Sequence, residues 1–412
     1  MIGNALEWYD FVLYGYFTGI IAKAILPPAQ DPLSLLLKGY AIFFLGFIMR
    51  PLGALLFGYI GDHHGRKKAL MLSIYCMAIP TTLMGLLPTY AQIGPWAAVL
   101  MTLLRLCQGL SMGGEFTGSM IFIVEHAPQG QKGFWGSWAS FSVVIGLIIG
   151  SGICSLISFL MPTNHLEMWG WRIPFLLSIG GSLVGASMRK SLEDPREFQT
   201  HKTHKAYTPV QESHRFYLKD LFLRYWKTIV RVIFIDFSIA VGFFLICTYI
   251  MTYLHTLVGF SYRFASITNT LSMLVFALAI PLAGSISDLY SPQKVMQWAV
   301  SAFMIAAIPC FYGLMSGSAG LAVISQMVLA FIMGINFSPM PALLVALFPV
   351  RMRYSGMSLA HNLSMAIFGG SAPELATLLI KRTGHLAIPG VLLFVAAFCS
   401  FLGLYKVTPS KD

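Results

Sequence analysis

Arg50–Lys68 reads RPLGALLFGYIGDHHGRKK, and the way that stretch divides decides the fold. Its first half is apolar and completes a membrane-length run that starts upstream. Its second half is a short, strongly basic segment, after which a new apolar run opens at Ala69. An arginine sits part-way along the apolar run, glycines admit a close neighbour, and Asp62, Arg66, Lys67 and Lys68 crowd the point where hydrophobicity stops. This is how a helix ends at the edge of a bilayer and turns back into it.

The composition agrees. Of 412 residues, 57% are hydrophobic and only 10% charged, with a mean hydropathy of +0.73. A soluble domain carries about a quarter of its residues as charges. A span takes about 20 residues, so this length admits about twelve and leaves little for a domain outside the membrane. The net charge of +11 then reads as topology, because the basic residues concentrate in the loops of one side. A nucleic-acid partner is not expected. The six cysteines stand singly in apolar segments with no CxxC pair, the pattern of reduced core fillers rather than disulfides or metal ligands. No metal or cofactor is expected.

Working outward, six apolar segments (3–26, 38–60, 69–87, 95–124, 134–161 and 171–188) precede the one long hydrophilic stretch, 189–227, which carries nine Lys or Arg. Six more follow it, at 228–255, 264–286, 294–315, 321–347, 354–380 and 387–406. The expectation is an all-α membrane protein with two six-helix bundles, 1–188 and 228–412, joined by a linker at 189–227. Gly284 and Asp288 repeat the spacing of Gly58 and Asp62 at the corresponding helix end, and Pro349, Arg351, Arg353 and Gly356 echo Pro128, Lys132 and Gly133. Such echoes point to duplicated halves of one orientation, with both termini and the linker in the cytoplasm.

Three sets of residues carry chemistry. In the first segment, Glu7, Asp10 and Tyr14 share one helical face. A carboxylate inside lipid costs at least a few kcal/mol, so it faces the bundle interior and marks an ion or solute route. In the fourth, Arg105, Gln108, Met112 and Glu115 also share a face, and Arg105, which cannot lose its proton, requires a carboxylate from Glu115, from helix 1 or from a bound solute. Proline and glycine break the tenth segment at Asn336, Pro339 and Pro341 and the eleventh at Gly369, Gly370 and Pro373, where freed backbone groups suit gates. Asp236, His361, Asn362 and Glu374 are further polar residues in apolar segments. Trp8, Tyr9, Trp96, Trp169 and Trp171 lie near span ends, as an interfacial belt does. No HExxH occurs, and an enzyme is not expected.

The opening stretch resembles the loop between helices 2 and 3 of the major facilitator superfamily, whose pattern is roughly GxLaDrxGRK; Gly58, Asp62, Gly65, Arg66 and Lys67 match, and His63 replaces a usual basic residue. EWYDF at Glu7–Phe11, RPLG, RLCQG with GGE, GSW at Gly136–Trp138, WGWRIPF at Trp169–Phe175 and FGGSAPE at Phe368–Glu374 resemble the metabolite:proton symporter family, over nearly the whole chain. Its members carry proline/betaine, alpha-ketoglutarate, citrate or shikimate. The resemblance implies the major facilitator fold, twelve helices in two pseudo-symmetric bundles, and proton-coupled uptake by alternating access; a facilitator or exporter of a similar solute is the alternative. It implies a carboxylate-bearing metabolite held by Arg50, Arg105, Gln108, Tyr14, Trp138 and Asn362, with protons carried by Asp10, Glu7 and Glu115 and a gate formed by Gly58, Asp62, Arg66 and Asp288.

Where proline/betaine members carry an acid two residues after Trp138, this chain has Ser140. Some also bear a C-terminal coiled coil used in osmosensing; here the sequence ends at Asp412, and osmosensing is not expected. A monomer in a bacterial inner membrane, its partners lipid, solute and protons, completes the expectation.

Overall fold

A computed structural model describes residues 2–28, 31–64, 66–190, 211–349 and 353–407; within its helices the side chains of 58–59, 61–64, 66–70, 182, 184–190, 211–224 and 355 lie outside the description. Helix is the only regular structure among the described residues. In chain order the first half is α1 (Ile2–Ile25), α2 (Pro32–Ile48, resumed as Arg50–His64), α3 (Arg66–Leu86), α4 (Trp96–Ser111, resumed as Glu115–Glu125), α5 (Lys132–Leu160) and α6 (Arg172–Lys190). The second is α7 (Gln211–Phe244, widened to π turns over Leu245–Tyr249 and Tyr253–Val258), α8 (Tyr262–Tyr290), α9 (Pro292–Met315), α10 (Ala319–Phe337, resumed as Met340–Leu347), α11 (Arg353–Ser364, Met365–Gly369 as a π turn, then Ala372–Thr383) and α12 (Ile388–Gly403). Among the described residues, eight of these are long and apolar enough to cross a membrane.

Local chemistry sets the ends and breaks. Asp31 caps α2 through the Leu33 amide, so the helix starts at Pro32, ahead of the expected residue 38. Ser261 and Ser318 cap α8 and α10 in the same way. α10 breaks at Ser338–Pro339 and α11 widens ahead of Ser371–Pro373, as the sequence anticipates. α4 also breaks, at Met112–Gly114, where the glycines read only as packing residues. The expected linker narrows: α6 runs to Lys190 and α7 begins at Gln211, and 191–210 lie outside the described residues.

α2 packs on α4 with almost no side chain between them. A Cβ on Gly109 would overlap the Gly46 carbonyl, so that position tolerates nothing larger than hydrogen. Across the molecule, α5 lies along α8 and α2 meets α11, which makes these four helices the seam between the bundles.

Two readings of residue type need correction. Trp8, Tyr9 and Trp171 are buried, not interfacial, whereas Trp96 and Trp169 are exposed as a belt requires. Of the cysteines only Cys154 and Cys247 are buried, and Cys107 faces outward.

Candidate functional site

The centre of the N-terminal bundle is built around Arg105. α4 turns this side chain toward α1 and α2, where it is fully buried. Its guanidinium carbon lies 4.3 Å from the ring centre of Phe11 and 4.9 Å from those of Tyr14 and Phe43. Nη1 donates to the Phe11 carbonyl at 3.2 Å and to Gln108 Oε1 at 2.8 Å, and Gln108 Nε2 donates to Thr81 Oγ1 at 2.7 Å. Nε and Nη2 have no acceptor among the described residues. Arg105 forms no ion pair among the described residues, so the protein carboxylate that the sequence allows for is not supplied. Tyr14 is held under the guanidinium by its hydroxyl, which donates to the Gly39 carbonyl at 3.0 Å.

Electrostatics make this an unfinished site. An isolated buried ion loses several kcal/mol of hydration. Three ring faces return about 2 kcal/mol each when desolvated, but they accept no hydrogen bond in the guanidinium plane. A planar fork with two free donors in an aromatic box is complementary to a carboxylate, which would complete both the charge and the hydrogen bonds.

The acidic residues gather nearby. Glu7, Asp10 and Glu115 line a cavity of about 20 Å³ together with Ser73 and Ser111, room for about one water. Glu7 and Asp10 are each 5% exposed; Ser111 Oγ donates to Glu7 Oε1 at 3.3 Å, and the Ser178 hydroxyl bonds Asp10. Ser111 falls within GLSMG, the spacing of a hydrolase elbow, but that motif needs a strand-to-helix turn and a histidine, and here it is helical.

Arg50 does something else. Fully buried at the turn that divides α2, it reaches across the seam and Nε donates to Asn362 Oδ1 of α11 at 3.1 Å. Asn362 Nδ2 donates to the Gly113 carbonyl at 2.8 Å, and Tyr354 and Ser358 of α11 donate to the Gly114 and Gly113 carbonyls. The break in α4 frees carbonyls, and the opposite bundle satisfies them. The duplicate half repeats this: Ser140 of α5 donates to the Phe337 carbonyl at the break in α10, at 3.0 Å.

On the same face of the molecule, Asp288 at the end of α8 accepts the Gly133 and Phe134 amides, at 2.6 and 2.8 Å, and so caps α5. A Cβ on Gly133 would strike Ser287, so only glycine allows the approach. Arg353 pairs with Glu125 at 2.7 Å beside it. Gly58, Asp62 and Arg66, the other expected gate residues, fall where side chains lie outside the described residues. This will be called the basic face.

The opposite face is joined by Lys381 and Asp31, 2.7 Å apart, with Ser34 also on Lys381. Behind them a cavity of about 290 Å³ runs between the bundles, lined by Tyr16, Lys23, Glu167, His255 and Tyr262. The bond from Lys381, then that from Ser34, holds the Asp31 carboxyl down to about 2, from 3.8. Its contribution is complete above 3.8 and is lost as pH falls through about 2. Labelling of a cysteine introduced by Gly19→Cys, which lines that cavity, should therefore be flat between about pH 5 and pH 8 once divided by the labelling rate of the same protein unfolded at each pH, which removes the thiolate fraction. It should rise with salt, since the two partners are 38% and 44% exposed.

Between the two faces, aromatic side chains fill the space beside Arg105 among the described residues. Rings from both bundles meet there: Trp8 with Phe243 at 5.0 Å, Phe47 with Phe244 at 4.8 Å, Phe43 with Phe244 at 5.8 Å. The solute route expected along the bundle interior is thus closed by an aromatic plug in this conformation. Trp138 does not join it; its ring packs on Phe134 and Phe141 of its own helix. Phe11 and Phe43 were missed, since phenylalanine in an apolar helix carries no signal of its own.

A family model described as Major Facilitator Superfamily matches residues 11–373. A "Proline/betaine transporter" of Salmonella typhimurium is 33% identical over 399 residues, covering 96% of this chain and 79% of the relative. A "Glycine betaine/proline/ectoine/pipecolic acid transporter OusA" of Dickeya dadantii is 32% identical over 420 residues, covering 100% of this chain and 82% of the relative. Among solved structures, a D-xylose-proton symporter superposes with a TM-score of 0.74 at 19% identity, covering 99% of this chain and 96% of that one.

Proposed function

The chain belongs to the Major Facilitator Superfamily, as a multi-pass membrane transporter and not an enzyme, and from that premise we propose that it imports a small zwitterion of the betaine or proline type together with protons. The observation that carries this reading is the Arg105 fork: two unpartnered donors in a box of aromatic faces. A carboxylate meets the fork. An alkylated ammonium group, weakly hydrated, suits ring faces such as Phe43 and Tyr14. The relatives' names supply the same solute class.

For the proton, the reading takes Asp10, with Glu7 and Glu115 beside it, as the carrier. Glu7 and Asp10 are buried and Glu115 half-buried around a water-sized space, close to the α4 break. The basic face is the cytoplasmic one by the distribution of Lys and Arg, in a bacterial inner membrane. On that face Arg50, Asn362 and Asp288 hold the bundles together, and Asp62, by its shared spacing in the sequence, is assigned to the same gate. The halves 1–188 and 228–412 rock as units about the aromatic plug, which must part for solute to reach Arg105. A facilitator would use the same box, but it has no need of two buried carboxyls, Glu7 and Asp10, near it.

The test is uptake of labelled betaine and proline by proteoliposomes. An inside-alkaline pH gradient should drive accumulation, and Asp10→Asn should abolish the gradient-driven part. Accumulation that ignores collapse of the pH gradient and follows a sodium gradient would refute the coupling.

A further inference from the structure

In the C-terminal bundle, Asp236 of α7 and His361 of α11 face each other with 2.7 Å between Oδ2 and Nδ1, at 0% and 1% exposure. The second carboxylate oxygen, Oδ1, has no hydrogen-bond partner among the described residues. The transport reading above uses neither residue. A carboxylate and an imidazole sharing one proton are neutral together. A second proton, or none, leaves a net charge sealed away from water, at several kcal/mol.

The surroundings link that proton to the basic face. His361 directly precedes Asn362, which takes the Arg50 bond and gives one to Gly113. The His361 ring also packs on Phe116 of α4, centres 5.5 Å apart, and Phe116 follows Glu115 of the acidic cavity. One turn of α11 thus touches a titratable pair on its α7 side and the joint between bundles on the other. The charged groups on the elements around it are Arg50 on α2, met through Asn362, and Glu115 on α4, behind Phe116. On α11 itself Tyr354 is bonded to Gly114, and Arg353 is paired with Glu125. Arg231, earlier on α7, points outward. α10 and α12 offer only uncharged groups, Asn336 and Ser400, both tied to α7.

We propose that Asp236 and His361 form a proton-binding site in the C-terminal bundle, separate from the acidic cavity of the N-terminal one, whose occupancy is coupled to release of Asn362 from Arg50 and Gly113. When α11 withdraws, water reaches the pair and its proton count can change. The pair must return to one proton before the face closes again. This rests on the transporter reading for its cycle, but not on the solute or on the role of Asp10.

Hydrogen–deuterium exchange of the purified full chain tests it without solute or gradient, so the result is independent of the vesicle experiment on Asp10. Exchange in segment 353–364, corrected for intrinsic chemical rates, should differ by about fivefold or more between about pH 6 and pH 8. In the double variant Asp236→Asn/His361→Gln, which keeps size and hydrogen-bonding capacity but cannot titrate, the difference should shrink to about twofold or less. A wild-type segment indifferent to pH overturns the proposal, and so does a double variant with the wild-type pH dependence. Should the double variant not fold, His361→Gln alone is read against the same criteria.

Discussion

Replacing Arg105 with methionine should abolish saturable uptake while leaving the solute-free protein as stable as before, or more stable. Removing one partner of a desolvated, hydrogen-bonded charge pair costs about 2–5 kcal/mol of binding, or about 30-fold to several thousand-fold in affinity. Stability moves the other way because the charge has no counter-ion among the described residues. Losing the bonds to Gln108 and to the Phe11 carbonyl costs about 1.5–3 kcal/mol each, while the thioether keeps contact with the three rings. Relief from a buried, uncompensated ion returns several. Arg105→Lys should also fail, since a point charge cannot present a planar fork. Uptake kinetics and a thermal melt without solute decide the matter. Retained transport, or a melt lowered by many degrees, would assign Arg105 a structural role.

Asp288→Ala should tip the conformational equilibrium toward opening of the basic face. The carboxylate holds two amides at the start of α5, and each charge-assisted bond is worth about 1.5–3 kcal/mol. Allowing for solvent that replaces it once the face opens, a net loss of about 2–4 kcal/mol shifts the equilibrium by roughly 30- to 1000-fold. The bonds join different bundles, so most of the effect falls on the closed state and not on folding. Exchange of the Gly133 and Phe134 amides should rise accordingly, and turnover should fall because closure becomes the slow step. Unchanged exchange at these amides would remove Asp288 from the gate.

Much of this arrangement was legible in the sequence, for reasons that differ by residue. The twelve spans follow from hydrophobic length alone. The association of Tyr14, Arg105 and Gln108 follows from helical spacing combined with the cost of burying a charge. Asp288 was visible as a repeat of Asp62. What was hidden depends on register between distant helices. Arg50 reads equally well as a solute ligand, and only its reach to Asn362, 312 positions away, makes it a fastener. Asp236 and His361 are 125 positions apart. Trp138 had the right chemistry on the wrong side of its helix. The break in α4 was masked because paired glycines also serve close packing, and backbone hydrogen bonding, which separates the two uses, has no letter in the sequence.

The two breaks have a consequence for origin. α11 reaches into the gap in α4, and α5, its counterpart, reaches into the gap in α10. Each half thus gives its twin the grip that it receives. Reciprocity of this kind belongs to an isologous homodimer, in which one patch contacts its own copy about a two-fold axis. A single ancestral six-helix chain, pairing with itself, would have gained both fastenings at once. The fused chain was then free to let them diverge, Asn362 on one side and the plain hydroxyl of Ser140 on the other.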